Sequence, residues 1–362
     1  MAGTSSSSEV PHNTPTVREA VIELLRAFGI TYIFGNPGST ELPLYRNFPD
    51  DFRYILGLHE SVAVAMADGY AQATRNAAVV NLHSAAGVGH AMGAVFTAYK
   101  NHTPLIIISG QQARSMLPGE PYLFSDQAAE LPKPYVKWSR EPARAEDVPA
   151  AVARAFYVAM TPPRGPALVS APVDDWDRPA QPVTPRVTSM ALRADPAQLE
   201  QVGEALARAA RPAFVVGAAV DQELAFDEVV ALAETQQARV WAAPMPSRCS
   251  FPESHPLFAG FLPPLREKLV ARLDGHDLIL VFGAPVFTCH VEGSGPWLPE
   301  GTELFQLIDD PQVAAWAPVG TSVLTSVRQG IRDLLQFTPK ARRTSPPARA
   351  LPDRVTGSNG IT

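Results

Sequence analysis

Two stretches of this chain, Pro-Leu-Ile-Ile-Ile-Ser at 104–109 and Asp-Leu-Ile-Leu-Val-Phe-Gly at 277–283, carry no polar side chain between their ends. A strand with one wet face alternates polar and apolar residues, and these do not. Short, wholly apolar runs bounded by turn residues are strands covered on both faces, as in a parallel sheet with helices on each side. The rest of the pattern agrees. Val17, Ala20, Val21, Leu24, Leu25 and Phe28 form a helical stripe closed by Gly29, and Thr-Tyr-Ile-Phe-Gly at 31–35 reads as the next strand. Then follow a β-type segment at 54–58, a helix from about Ser61, a strand at 78–82, an Ala/Gly-rich helix at 87–99, a helix at 148–159 and a strand at 166–172. A second series has helices at 196–210 and 223–235, strands at 211–217, 238–243, 277–283 and 303–309, and a strand end plus final helix within 323–337. Such alternation predicts an α/β protein of two consecutive doubly wound domains with mainly parallel sheets.

The length, 362 residues, is enough for two cores. A Pro- and Asp-rich stretch at 172–187 lacks periodicity, which places the domains at 16–175 and 193–338 with a linker over 176–192. Asp174, Asp175 and Asp177, beside Trp176, read as solvated linker charges. Residues 1–15 and 339–362 are Ser- and Pro-rich or Pro-, Arg- and Ser-rich, and are expected to be disordered. A net charge of −6 without a basic block argues against nucleic acid. No apolar run reaches the roughly 20 residues of a membrane span. The N-terminus lacks the basic and apolar regions of a signal peptide. Cys249 and Cys289 lack metal-site spacing and read as free thiols of a reducing, cytoplasmic compartment.

Glu60 follows the 54–58 segment and precedes a helix of small residues. A carboxylate there is expected to be desolvated, with a raised pKa, and to need a hydrogen-bonding partner, such as the ring nitrogen of a cofactor. Asn36, Pro37, Gly38 and Ser39 follow the first strand. Pro37 stiffens that loop, Gly38 admits a ligand close to the backbone, and Ser39 offers a hydroxyl or caps the next helix. His83 ends the 78–82 strand, and is either a structural histidine or part of a site. Ser39, Glu60 and His83 all fall at carboxyl ends of parallel strands, the rim where open α/β sheets bind ligands. His290 follows the 277–283 strand and is otherwise a surface histidine. No dinucleotide fingerprint, P-loop or nucleophile elbow is present, and no residue is assigned as a metal ligand.

Gly-Asn-Pro-Gly-Ser at 35–39, His-Glu at 59–60 with Ala-Asp-Gly-Tyr-Ala at 67–71, and Asn-Leu-His-Ser-Ala-Ala-Gly at 81–87 resemble the pyrimidine-binding domain of thiamine diphosphate enzymes. Gly-Gln-Gln at 110–112, Val-Lys-Trp-Ser at 136–139, Asp-Asp-Trp-Asp at 174–177 and Gly-Ala-Pro-Val-Phe at 283–287 extend the likeness, nearest to the benzoylformate decarboxylases. It runs from about residue 16 to about 337 and covers a pyrimidine-binding and a middle domain.

The resemblance implies thiamine diphosphate and magnesium as cofactors, and decarboxylation of an aromatic 2-oxo acid, the benzoylformate of a mandelate pathway. Glu60 would then hydrogen-bond the aminopyrimidine and favour the imino tautomer that activates the thiazolium carbon. Asn36, Pro37 and Gly38 would line the cofactor, and Ser39 would hold the substrate carboxylate. His83 and His290 would relay protons. Tyr122 and Leu123 would wall the substrate pocket. Position 90 is His where relatives often have Asn, and no role is carried over to it.

The family's diphosphate-binding domain, with its Gly-Asp-Gly and Asn pair holding magnesium, has no counterpart in the sequence. The expectation is an N-terminal portion, inactive alone, that works in a homo-oligomer or with a chain carrying that domain. The alternatives are a catalytically silent truncated paralogue or interaction module, and an acetolactate synthase-type carboligase.

Overall fold

The computed structural model describes residues 14–349. The disorder expected at 1–13 and 350–362 lies outside the described residues. The chain divides into two units, Met1–Met190 and Ala191–Thr362.

The first unit begins with α1 (Val17–Ala27). Thr16 and Glu19 close its N-terminus as a capping box: the Thr16 hydroxyl accepts from the Glu19 N–H, and the Glu19 carboxylate accepts from the Thr16 N–H. Then come β1 (Tyr32–Asn36), β2 (Arg53–Leu56), α2 (Glu60–Thr74), β3 (Ala78–Leu82), α3 (Ser84–Lys100), β4 (Leu105–Gln111), β5 (Trp138–Arg140), α4 (Val148–Met160) and β6 (Ala167–Pro172). The six strands pair in parallel in the order β2-β1-β3-β4-β6-β5. Side chains of β4 split by parity. Ile106 and Ile108 enter one core layer with α1 and α4, while Leu105 and Ile107 enter another with α2 and α3. That is why the run at 104–109 has no polar position between its ends: both of its faces are interior.

The second unit contains α5 (Pro196–Arg208), β7 (Pro212–Val216), α6 (Ala218–Gln222), α7 (Phe226–Gln236), β8 (Arg239–Ala242), β9 (Phe258–Phe261), α8 (Arg266–Leu273), β10 (Leu278–Phe282), β11 (Glu303–Ile308), α9 (Pro311–Trp316), β12 (Thr321–Leu324) and α10 (Val327–Phe337). Its sheet is again parallel and six-stranded, in the order β12-β11-β10-β7-β8-β9. Leu278, Leu280 and Phe282 face one layer, and Ile279 and Val281 the other. The expected α/β class with two parallel, doubly covered sheets is what the chain forms.

Three details differ from the sequence reading. The helix expected at 223–235 begins only at Phe226, after a turn in which Leu224 takes the left-handed conformation, and a short helix, α6, precedes it. The segment around Trp176 is not a solvated linker. Trp176 is 1% exposed in the α1–α4 layer, and the buried Asp175 accepts two hydrogen bonds of 2.7 Å from Arg114. Asp174 accepts from the Arg114 N–H, and Asp177 pairs with Arg18 and Arg46. These arginines lie far away in sequence, so local composition gave no sign of them. Finally, residues 339–349, expected to be disordered, are irregular but anchored. The Ala341 N–H donates to the Thr235 carbonyl, Arg343 to that of Leu206, and Arg239 to that of Pro347. Among the described residues no helix is long and apolar enough to cross a membrane.

Candidate active site

Strand order in the first unit reverses between β1 and β3, which are neighbours although β2 intervenes in the chain. The connections from these two strands leave in opposite directions, which opens a crevice at their carboxyl ends. Asn36 is the last residue of β1, and His83 directly follows β3. Glu60 opens α2, just after β2.

Glu60 is 8% exposed. Its Oε1 accepts from Asn36 Nδ2 at 3.2 Å, and its Oε2 lies 3.3 Å from His90 Nδ1 on α3. Burial pushes this carboxyl up, but its own backbone N–H, Asn36 and His90 together outweigh that and hold the pKa below its ordinary value. The raised pKa expected from the sequence is therefore corrected: a carboxylate at a helix N-terminus has donors around it that the strand–helix junction alone does not reveal. His59 caps the same helix, its Nδ1 accepting from the Ser61 N–H, and the Ser61 hydroxyl donates to the His90 carbonyl at 2.6 Å.

His83 sits on a second carboxylate that the sequence reading did not single out. Glu41, 1% exposed, places Oε2 2.9 Å from His83 Nδ1 and accepts from the Gly38 N–H at 2.7 Å. Its Oε1 accepts from the Thr40 hydroxyl at 2.5 Å, and that hydroxyl is 3.1 Å from His83 Nδ1. The loop after β1 thus folds back so that its acid holds the histidine after β3. Two glycines make room. A Cβ on Gly110 would lie 1.7 Å from Glu41 Oε1, and one on Gly38 would lie 2.2 Å from His83 Nδ1. The sequence clue was a lone Glu in a tight Asn-Pro-Gly loop, where a charged side chain has a short route back under the turn. With Nδ1 engaged by a carboxylate, Nε2 is the nitrogen left for exchange with a ligand. Behind the pair, the Tyr45 hydroxyl donates to Asn81 Oδ1 at 2.6 Å, and Asn81 Nδ2 donates to the Ile108 carbonyl.

The remaining expected residues fall as follows. Pro37 is half-buried and Ser39 exposed in the loop after β1. Ser39 caps no helix: the short 3-10 helix Leu42–Tyr45 has Glu41 at its N-cap, without a side-chain bond. Tyr122 is 89% exposed, and its carbonyl accepts from Gln112 Nε2. Leu123 takes the left-handed conformation, with φ 63°. His290 belongs to the second unit, exposed in the loop after β10, where its N–H donates to the Pro264 carbonyl at 3.0 Å. The structure joins Asn36 to Glu60 and Gly38 to His83 through Glu41.

A pocket of about 350 Å³ lies beside α3, lined by Ala85, Ser125 and residues 126–128, 130 and 131. At the crevice Glu60 offers a buried carboxylate, held in place by Asn36, as a hydrogen-bond acceptor.

Two family models match the chain: "Thiamine pyrophosphate enzyme, N-terminal TPP binding domain" over residues 15–129, and "Thiamine pyrophosphate enzyme, central domain" over residues 199–334. The chain is 46% identical over 344 residues to a benzoylformate decarboxylase of Pseudomonas aeruginosa, covering 94% of this chain and 64% of that protein. It is 28% identical to the acetolactate synthase large subunit of Haemophilus influenzae, covering 88% of this chain and 57% of that one. Among solved structures, a thiamine diphosphate-dependent 4-hydroxybenzoylformate decarboxylase of Rhodococcus jostii RHA1 superposes with a TM-score of 0.91 at 44% identity, covering 96% of this chain and 67% of the other. The chain thus spans 64% and 57% of the length of these two curated relatives.

Proposed function

Because the chain belongs to the thiamine pyrophosphate enzyme family, in the part that includes benzoylformate decarboxylases, we propose that it is the pyrimidine-binding and middle portion of an aromatic 2-oxo acid decarboxylase. The substrate class is that of benzoylformate, released as benzaldehyde and carbon dioxide. The observation that carries this reading is Glu60: a carboxylate 8% exposed, oriented by Asn36, at the switch point of a parallel sheet.

When bound, thiamine diphosphate supplies the electron sink that accepts charge as carbon dioxide leaves. Glu60 would face the pyrimidine nitrogen and share a proton with it, and Asn36, Pro37 and Gly38 would line the wall beside the ring. The Ser39 hydroxyl, exposed at the crevice mouth, donates to the substrate carboxylate. His83 moves a proton at Nε2 while Glu41 fixes its Nδ1, and His290 serves as the second proton carrier. Tyr122 and Leu123 wall off the aryl group. We place the diphosphate and magnesium ligands on a further segment or a second chain, supplied within an oligomer in the cytoplasm. The carboligase alternative has less support, since identity to the acetolactate synthase is 28% against 46% for the decarboxylase.

The test is reconstitution. The chain is mixed with one carrying a diphosphate-binding domain, thiamine diphosphate and magnesium, and benzaldehyde release is followed. Activity should appear, should favour benzoylformate over pyruvate, and should fall at least about 10²-fold in Glu60→Gln. Full activity in that variant would remove Glu60 from the proton path, and equal turnover of pyruvate would overturn the aryl assignment. An absence of cofactor-dependent stabilisation in every mixture would favour a silent module.

A further inference from the structure

The proposed chemistry uses Glu60 but neither of the two imidazoles beside it. His59, at the N-cap of α2, and His90, on α3, are exposed, and their rings lie 5.6 Å apart between centroids at 25°. One ligand atom from each of His59, Glu60 and His90 lies within 4.8 Å of the other two. We propose that these three residues form a site for a borderline first-row divalent cation such as zinc.

The donor set is two imidazole nitrogens and one carboxylate oxygen, which suits zinc and leaves a fourth position open for water. It does not suit magnesium, which prefers an all-oxygen octahedron. Preorganisation is uneven in a useful way. Glu60 is buried and held by Asn36, so one ligand is fixed. The Ser61 hydroxyl ties α2 to the His90 carbonyl, which fixes the spacing of the two helices. The imidazoles are only loosely engaged, His59 Nδ1 with the Ser61 N–H at 3.2 Å and His90 Nδ1 with Glu60 at 3.3 Å. These contacts lie at or just past the long end of the usual range, and exposed rings turn readily to present a lone pair to a metal.

A cation here takes the carboxylate that the pyrimidine ring would use. Metal and cofactor therefore exclude each other, a corollary that rests on the reading of Glu60 given above. The metal site itself does not depend on it.

Calorimetric titration of the thiamine diphosphate-free chain with zinc chloride should show one equivalent bound. Affinity should fall about tenfold or more in each of His59→Gln and His90→Asn. Both changes are at exposed positions, and thermal melts would confirm that the variants fold. Glu60→Gln should weaken binding likewise. No stoichiometric binding, wild-type affinity in the His59→Gln/His90→Asn double variant, or equal affinity for magnesium chloride would overturn the site. A separate titration of the reconstituted mixture with thiamine diphosphate distinguishes the two readings. Zinc should weaken cofactor binding in the wild type but not in His90→Asn. Zinc binding that leaves cofactor affinity unchanged would uphold the metal site and count against Glu60 as the pyrimidine partner.

Discussion

Glu41 lies two residues after the exposed Ser39 and is itself 1% exposed. Its carboxylate has three neighbours that replace water, the Gly38 N–H, the Thr40 hydroxyl and the His83 ring, and Gly110 leaves room for it. A buried charge persists only when its hydrogen-bonding capacity is filled this way. If the pair positions His83, Glu41→Gln should lower benzaldehyde release in the reconstituted enzyme by about 10²-fold. Thermal stability should fall by about 1–3 kcal/mol, because the amide NH2 meets a buried donor where the carboxylate oxygen accepted, so turnover is compared per folded enzyme. Unchanged turnover would show that His83 needs no carboxylate behind it. The sequence displayed Glu41 in plain view, but a burial of this kind depends on β4 arriving alongside with a glycine, which no reading of the loop alone can supply.

At the level of elements, the stretch after β6 shows how composition misleads. Its Pro and Asp content resembles a solvated linker, yet it closes the first unit. The Val17 N–H donates to the Arg178 carbonyl, Arg18 to that of Trp176, and Thr16 bridges to Pro179. The indole of Trp176 fills the layer between α1 and α4. Trp176→Ala should destabilise the first unit by about 3–5 kcal/mol. In denaturant melts its transition should move to lower concentration while that of the second unit stays. An unmoved midpoint would mean that the arginine–aspartate pairs hold the segment without the indole. Strands such as 105–111 were legible because their burial on both faces writes itself into every position. The edge strands β5 and β9, with one covered flank and mixed composition, were not.

Across the whole molecule, several carboxylates are tuned by partners distant in sequence. Burial raises Glu228, but Arg328, its own N–H and Arg332 outweigh that and hold it below 4.5. Burial likewise raises Asp277, and the N–H groups of Ala210 and Arg211 bring it below 3.8. Glu60 is lowered as well. A carboxyl with a depressed folded pKa contributes stability that is present above its unfolded value and lost as pH falls through the folded value. The contribution of these carboxylates should therefore be full above about pH 5 and decline below about pH 4. Burial of His276, which lowers its pKa, adds a decline that starts as pH falls through about 6.5. At neutral pH, Glu228→Gln should cost about 1 kcal/mol and lower Tm by about 2–4 °C. Its melting temperature should then fall less on acidification than that of the wild type. Scanning calorimetry from pH 7 to pH 3 checks both, and parallel acid profiles would show that Glu228 is not among the groups responsible.

What the sequence determined by itself is the architecture. Wholly apolar strands alternating with amphipathic helices leave a covered parallel sheet as the outcome, because hydrophobic period and length are local properties that survive any rearrangement of neighbours. It also placed Asn36, Glu60 and His83 at strand ends, since a strand's end is visible wherever its apolar run stops. The tertiary structure decided which of those groups meet, and it lowers the pKa of Glu60. The strand order β2-β1-β3 brings Asn36 onto Glu60, and the packing of α3 against α2 sets His90 beside it. The return of the β1 loop puts Glu41 under His83. Hydrogen bonds and ion pairs act over about 3 Å, and residues separated by 24 to 42 positions come within that distance only when the sheet has fixed their order.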